Sequence, residues 1–387
     1  MQRFCANPRT RRGLGRQECA SSKLVNKFKV YLCRPYGFGT SIIMSMLEEL
    51  FTHGTEQFEG LIIHDLWPPQ ERYPVVRVSL KGLSNPETID NELIERLCDA
   101  FAQAGFAGVS EVKHNYAQSG FSDVLLDLDL LRYQAQQQES GEWRPKTIVL
   151  LLEDCDYPLL ATLHDYDAFE HNFELLHALF AWLYRLRSVR FSCVTGSVCF
   201  LQFMQSTDDE FTNISRASSC ADLVGYTPAE LELYFGPHLK LAAQRLNLSV
   251  ADLVTELTRH YGGYCFNYYD PSAQVYCPWS INHFFAQMLE PDKEPEFGTY
   301  WLKQPQLKPK LQAIAQAFEP ELQNLIQRQP GYFVSRYLLS AVARYIQLWQ
   351  ALNLGFISIK HIPEEGNSYG CPNLEMERSL KRIFELD

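Results

Sequence analysis

The sequence predicts an α/β fold: a parallel sheet with helices on both faces, then a mostly α-helical remainder. Three observations carry this expectation. An apolar run, Val30 to Cys33, leads into a glycine-bearing loop and then a helix-patterned segment. A second run, Thr147-Ile-Val-Leu-Leu-Leu152, shows no alternation, as befits a parallel strand covered on both faces. Strands and helices alternate to about Phe211, and helical patterns dominate beyond it.

The elements follow in order. From Ser41 to about Phe51, Ile42, Ile43, Met46, Leu47, Leu50 and Phe51 share a helical face, with Glu48 and Glu49 off it. Tyr73-Pro-Val-Val-Arg-Val-Ser-Leu80 is a valine-rich strand. Pro86 to Ala104 carries Ile89, Leu93, Leu97 and Phe101 at helical spacing. Gln134 to Glu142 reads as a polar loop or helix end. Phe173 to Leu186 reads as a helix and Val189 to Thr195 as the fourth strand.

After about Phe211 the strands are expected to stop. Thr227-Pro-Ala-Glu230 has a helix start's chemistry: Thr227 as N-cap, Pro228 at the first position, Glu230 closing a capping box. Ser249 with Asp252 begins another helix in the same way. Tyr264 to Trp279 reads as an aromatic loop, and Gln304 to Pro309 has a linker's composition. Leu311 to Gln327 and Tyr337 to Leu352 are amphipathic helices, and Gly355 to Lys360 a short strand. The expected organisation is a basic, disordered 1–22, a core over 23–210, helices over 211–303, and a helical 304–387, whose helix plus short strand over Tyr337 to Lys360 is compatible with a winged helix.

Composition narrows the function classes. The chain has 387 residues, 46% hydrophobic and 21% charged, the balance of a globular protein of two or three domains. A formal net charge of -11 argues against a general nucleic-acid surface. Eleven cysteines, several in apolar runs and none in a C-x-x-C, imply buried thiols in a reducing, cytoplasmic setting. No Cys/His spacing suggests structural zinc, and no apolar run reaches membrane-span length. Five arginines precede Lys23 without an apolar segment after them, so no targeting signal is read there.

The candidate site is the loop after Cys33. Strand, glycine loop and helix form the geometry in which backbone N–H groups cradle a phosphate. Against the phosphate-loop pattern G-x-x-x-x-G-K-[ST], Arg34 takes the first position, Gly39 the second glycine, Thr40 the lysine slot and Ser41 the final hydroxyl. A unit charge pair at 4 Å contributes roughly 4 kcal/mol at an effective dielectric of 20. One neutral hydrogen bond from Thr40 contributes about 0.5–1.5 kcal/mol. The lost charge weakens nucleotide binding and, further, transition-state stabilisation.

With these residues in view, the chain resembles the bacterial AAA-ATPase-like proteins, which join a P-loop NTPase-type core to a helical lid and often to a C-terminal PD-(D/E)xK nuclease. Arg34-Pro-Tyr-Gly-Phe-Gly-Thr-Ser41 is similar to the family's R-P-R-R-F-G-K-[ST]. Ile148 to Pro158 resembles I-D-E-Y-D-x-P, and Val194-Thr-Gly196 a strand ending in T-G. Gly225-Tyr-Thr-Pro-Ala-Glu-Leu231 is similar to G-F-T-x-x-E-L. Tyr261 to Phe266, Val275 to Ser280, Tyr300-Trp301, Gly355 to Lys360 and Gly370 to Glu375 continue the series, so the resemblance spans roughly residues 25 to 380. The departures are as informative. The lysine is Thr40, the loop's paired arginines are Tyr36 and Gly37, and the acids of I-D-E-Y-D are exchanged as Glu153-Asp154. The chain ends at Asp387, before a nuclease would fit.

The resemblance implies ATP and Mg²⁺ as ligands, with Arg34, Gly37, Gly39, Thr40 and Ser41 at the nucleotide. Ser41 and Glu153 would stand on the metal side, Glu153 and Asp154 as catalytic acids, and Thr195 as a sensor of the γ-phosphate. Bland alternatives stand beside each. Asp154 and Asp156 would cap the turn before Pro158. Thr195 and Ser197 would cap a strand end. Arg185, Arg187 and Arg190 would sit at a solvated helix C-terminus. The aromatics Tyr264, Phe266, Tyr268, Tyr269, Tyr276 and Trp279 would form lid core rather than stack a base. His64, His164 and His171 lack a partner at metal spacing, and acids around Cys155 do nothing to activate its thiol.

Three functions are open at this point. One is an AAA-ATPase-like protein with an eroded site, a pseudo-ATPase acting on an unknown protein partner. The second is a divergent ATPase using a substitute cation. The third is a decaying family copy. An oligomer is compatible with each, and none calls for a membrane.

Overall fold

The computed structural model describes residues 29–60, 62–68, 72–115, 120–140, 146–162, 165–198, 211–267, 269–304, 354–362 and 366–383. The basic start, Cys199, His164, Tyr268 and the helices expected over Leu311–Gln327 and Tyr337–Leu352 lie outside them. The chain divides into two compact units. The first holds the described residues of 21–32 and 41–213; the second holds 33–40 and the described residues from 214 onward. The glycine loop thus groups with the C-terminal residues, a division no sequence pattern suggests.

The first unit is a five-stranded parallel sheet with helices. Its strands are β1 (Lys29–Cys33), β2 (Val75–Ser79), β3 (Ile148–Glu153), β4 (Val189–Gly196) and β5 (Thr212–Asn213), in the order β2-β3-β4-β1-β5. Val76 pairs with Leu150, Leu152 with Val194, and Tyr31 with Asn213. All six residues of β3 are buried, so both faces of the sheet centre are covered, as its unbroken apolar run implies. β5 was not expected: two exposed residues give no period to read.

The longer helices of this region are α1 (Thr40–His53), α2 (Ile89–Gln103), α3 (Val109–Asn115), α4 (Phe121–Ser140) and α5 (Tyr166–Arg185). α1 buries Ile43, Met44, Leu47, Leu50 and Phe51; Ile42, expected on that face, is 47% exposed. α5 begins seven residues before the expected Phe173, because Asp165 caps it by accepting from Ala168 N. α3 and the body of α4 escaped the sequence reading, which placed a loop or a helix end at Gln134–Glu142, where α4 ends. In α4, Leu126 and Leu130 face outward beside buried Leu125 and Leu128, which blurs the stripe. α2 packs on β2, α3 and α4.

The second unit centres on α6 (Pro228–Leu246), α7 (Val250–Tyr261) and α8 (Pro278–Leu289). The Thr227–Glu230 capping box is fully formed, and Ser249 accepts from Asp252 N to start α7. Phe235 stacks on Phe285 at 4.7 Å within a core that includes Leu231, Leu257, Tyr261, Ile281 and Phe284. Strands continue beyond Phe211, and more of them than the short strand expected over Gly355–Lys360. Two antiparallel hairpins follow: β6 (Tyr264–Cys265) with β7 (Gln274–Val275), and β8 (Ser358–Ile362) with β9 (Gly366–Gly370). α9 (Leu374–Ile383) closes the described chain and packs on α7. Gln304, expected in a linker, is only 3% exposed.

Among the described residues no helix is long and apolar enough to cross a membrane. The eight described cysteines are free thiols, seven of them buried.

Candidate active site

Gly37 and Gly39 shape the loop between β1 and α1, with φ +88° and +89°, a region where a side chain is strained. Phe38 N closes a turn onto Pro35 O, with Gly37 in its third position. Among the described residues, the amides of Gly39 and Thr40 have no hydrogen-bond acceptor. Amides at a helix start have no partner within the helix, and such groups can receive an anion.

The rest of the loop is engaged within the second unit. Arg34 is 2% exposed. Its Nη1 donates to Cys33 O and Ser215 O, its Nη2 to Cys220 O at 2.7 Å, and its guanidinium lies 4.2 Å from the Phe266 ring centroid. Burial, with Arg216 nearby, pulls its pKa down to about 9, so it stays charged at neutral pH. Its charge is thus satisfied by carbonyl dipoles and a π-face. Phe38 meets Tyr264 and Phe266 edge-on at 4.9 and 5.3 Å. Gly37 O accepts from Trp279 N at 3.1 Å. Of the aromatic group, Tyr264, Phe266 and Tyr276 are buried as core, while Tyr269 is 84% exposed.

The first unit holds the acids and Ser41, whose side chain is exposed. Glu153, at the end of β3, is buried and takes a 2.6 Å hydrogen bond from Arg77 Nε. Arg77 Nη1 also donates to Glu48 Oε2 and Ser45 Oγ. Burial alone would lower the Arg77 pKa, but the bonds to Glu153 and Glu48 outweigh it and raise it. A carboxylate bound this way has its charge offset by an internal cation, which weakens it as a ligand for Mg²⁺. Arg77 escaped the sequence reading. Its signal was a lone arginine in a valine strand, one strand from the acid.

Asp154 differs from its neighbour. Its φ of +51° turns the chain out of β3, and Ser79 Oγ donates to its Oδ2 at 3.3 Å. Burial, then the charges of Asp156 and Glu153, raise its pKa to about 6 against the opposing pull of Lys81. It is half-buried and carries no ion pair among the described residues.

Asp156 precedes the short helix Tyr157–Leu160, yet its side chain does not cap it. Its Oδ2 accepts instead from Ser197 N, Ser197 Oγ and Val198 N. The carboxylate therefore ties the turn after β3 to the turn after β4. Ser197 is thereby committed to Asp156. Thr195 is buried at the end of β4, where its carbonyl accepts from Cys155 N. His171 pairs with Asp90 and His64 with Asp65, and among the described residues no group of His, Cys, Asp and Glu could hold a metal ion.

Residues 21–203 match the model of the AAA-ATPase-like family, described as "Predicted AAA-ATPase". A curated relative, an uncharacterized protein encoded in the vnfD 5' region of Azotobacter chroococcum mcd 1, is 24% identical over 370 residues. The match covers 92% of this chain and 63% of the relative, so the chain spans less than two thirds of that protein's length. A solved structure, the ORC2 protein of Aeropyrum pernix in its ADPNP-ADP complexes, aligns at 12% identity with a TM-score of 0.33. That alignment covers 96% of this chain and 93% of the other.

Proposed function

We propose that this chain, AAA-ATPase-like over residues 21–203, is a pseudo-ATPase: it binds nucleotide weakly, does not cleave it, and acts as a regulatory module on a protein partner. The observation that carries the reading is Arg34. It is the only cation between Cys33 and Ser41, and its guanidinium is sunk among Cys33 O, Ser215 O and Cys220 O. With Thr40 in the lysine slot, the loop offers a triphosphate neutral donors only. The Arg77–Glu153 pair supports the same reading, because it offsets the charge of the carboxylate that would stand beside Mg²⁺. The free thiols suit a cytoplasmic protein.

Calorimetry with Mg-ATP and a phosphate-release assay test this directly. The expected result is binding weaker than about 100 μM, or roughly 5.5 kcal/mol, with no release above buffer. Micromolar binding abolished by Ser41→Ala, or turnover dependent on Glu153, would overturn it.

One observation favours the second reading, a divergent active ATPase. Asp154 has a pKa near 6 and a left-handed backbone at a strand end, features that cluster at catalytic sites. On that reading Asp154 would polarise the attacking water. Phosphate release by the wild-type protein, lost in Asp154→Asn, would select it.

A further inference from the structure

Gln304 presents an unmet donor. The residue is 3% exposed, and among the described residues its Nε2 has no hydrogen-bond partner. A buried amide N–H without an acceptor costs about 1–3 kcal/mol, so such a group calls for a reason. Its position supplies one. A methyl group built on Gly37 would lie 2.8 Å from Gln304 Nε2 and 2.9 Å from Trp279 Cβ. Nε2 therefore stands directly against the glycine loop.

The placement is built rather than incidental. Gln304 ends the 3-10 turn Trp301–Lys303, where its own N–H bonds to Trp301 O. Trp279 Nε1 holds Tyr300 O at 3.0 Å, and Glu375 Oε1 accepts from both Tyr300 N and Trp301 N. Trp279 N in turn fixes Gly37 O. Loop and turn are thus locked to the same tryptophan, which leaves Gln304 little freedom.

The loop and the side chain set against its Gly37 thus carry donors that have no acceptor among the described residues: Gln304 Nε2 and, further along the loop, the amides of Gly39 and Thr40. We infer that Gln304 donates to an oxyanion, a phosphate group of a nucleotide, seated on the Gly37–Thr40 loop. This inference rests on the reading of the loop as a weakened nucleotide site, and it adds a residue that no loop motif contains. A phosphate oxygen offers several lone pairs at once, so one ligand satisfies donors from loop and turn together. Because every donor is neutral, the site takes phosphate without the electrostatic gain of a lysine.

The test uses the full chain with nitrogen-15-labelled glutamine. ATP, ADP, inorganic phosphate and adenosine are each titrated while the Gln304 side-chain amide signal is followed, assigned by its loss in Gln304→Met. The expected result is movement with ATP, ADP and phosphate and none with adenosine. Gln304→Met, which keeps the volume and removes the donor, should weaken ADP binding about tenfold. Gln304→Glu should abolish it at neutral pH by placing a carboxylate against the phosphate. A Gln304 signal that stays put at millimolar ligand overturns the inference, as does Gln304→Met binding like wild type. Turnover of ATP would reject the pseudo-ATPase reading and leave a moving Gln304 signal valid. A silent Gln304 with no turnover would do the reverse. Should the substitutions unfold the chain, the signal is assigned instead by through-bond correlation from the Gln304 backbone in the wild-type protein, and the wild-type titration decides.

Discussion

Arg77 Nε donates to Glu153 Oε1 across 2.6 Å, and this bond couples the middle of β2 to the end of β3. Glu153 is buried and Arg77 about a quarter exposed, so the pair is partly shielded from solvent. An acid that resembles a metal-side carboxylate is thereby part of the sheet's own charge balance.

Removing the arginine leaves that carboxylate buried and uncompensated. Arg77→Met should destabilise the protein by about 2–4 kcal/mol, below a fully buried pair because Arg77 reaches solvent. Denaturant unfolding measures it. Arg77→Met combined with Glu153→Gln should recover much of the loss, since no lone charge then remains buried. Equal losses in the single and double variants would show that the pair carries no coupling.

Thr40→Lys returns the loop's missing charge. The difference between a lysine–phosphate pair and a threonine hydrogen bond has an upper bound of roughly 3 kcal/mol. Calorimetry should show at least a tenfold gain in ATP affinity. Phosphate release should remain absent, because Arg77 still holds Glu153. Turnover in this single variant would mean that charge alone had been lacking.

The parts of the fold that were legible in the sequence are those with local chemistry. The capping box at Thr227–Glu230 and the all-buried run of β3 need only neighbouring residues to form. The glycine loop was legible as a loop for the same reason. What stayed hidden depends on distant partners. Nothing near Arg34 in the chain announces that Ser215 O and Cys220 O will claim it. Gln304 looked like linker because its composition is polar, while its burial is set by Trp279 and Glu375 through their bonds to Tyr300 and Trp301. Asp156 beside Pro158 reads as a helix cap, yet two amides and a hydroxyl at Ser197–Val198 outcompete the single local one.

That contest explains Gly196. A Cβ there would sit 2.7 Å from Asp156 Oδ1 and 3.2 Å from Cys155 Sγ, inside contact distance of a carboxylate held by three bonds. Gly196→Ala must push Asp156 off its donors or bend the end of β4. A loss of about 2–3 kcal/mol is expected in thermal or denaturant unfolding. Asp156→Asn keeps the shape and loses the charge, so it should cost less. An alanine as stable as wild type would show that the two turns are not tied as described.

Glu375 gives the second unit a dependence on pH. The side chain is 1% exposed and accepts from Ser280 Oγ, Tyr300 N and Trp301 N, all of them neutral. Burial raises its pKa from 4.5 to about 7, and the three donors only moderate the rise. The titratable groups that feel its charge are Tyr261 on α7, Tyr264 on β6, Cys277 before α8, and Tyr300, all of them neutral at neutral pH. Between pH 4.5 and 7 the folded state keeps a proton that the unfolded chain releases. Its stabilising effect is complete below about pH 4.5 and is lost as pH rises through about 7. The loss amounts to about 3 kcal/mol by pH 8.5, from the 1.36 kcal/mol that each pKa unit represents. Unfolding followed from pH 5 to 8.5 should show this decline in wild type, and Glu375→Gln should remove most of it. The same slope in the Glu375→Gln variant would assign the pH dependence to another group.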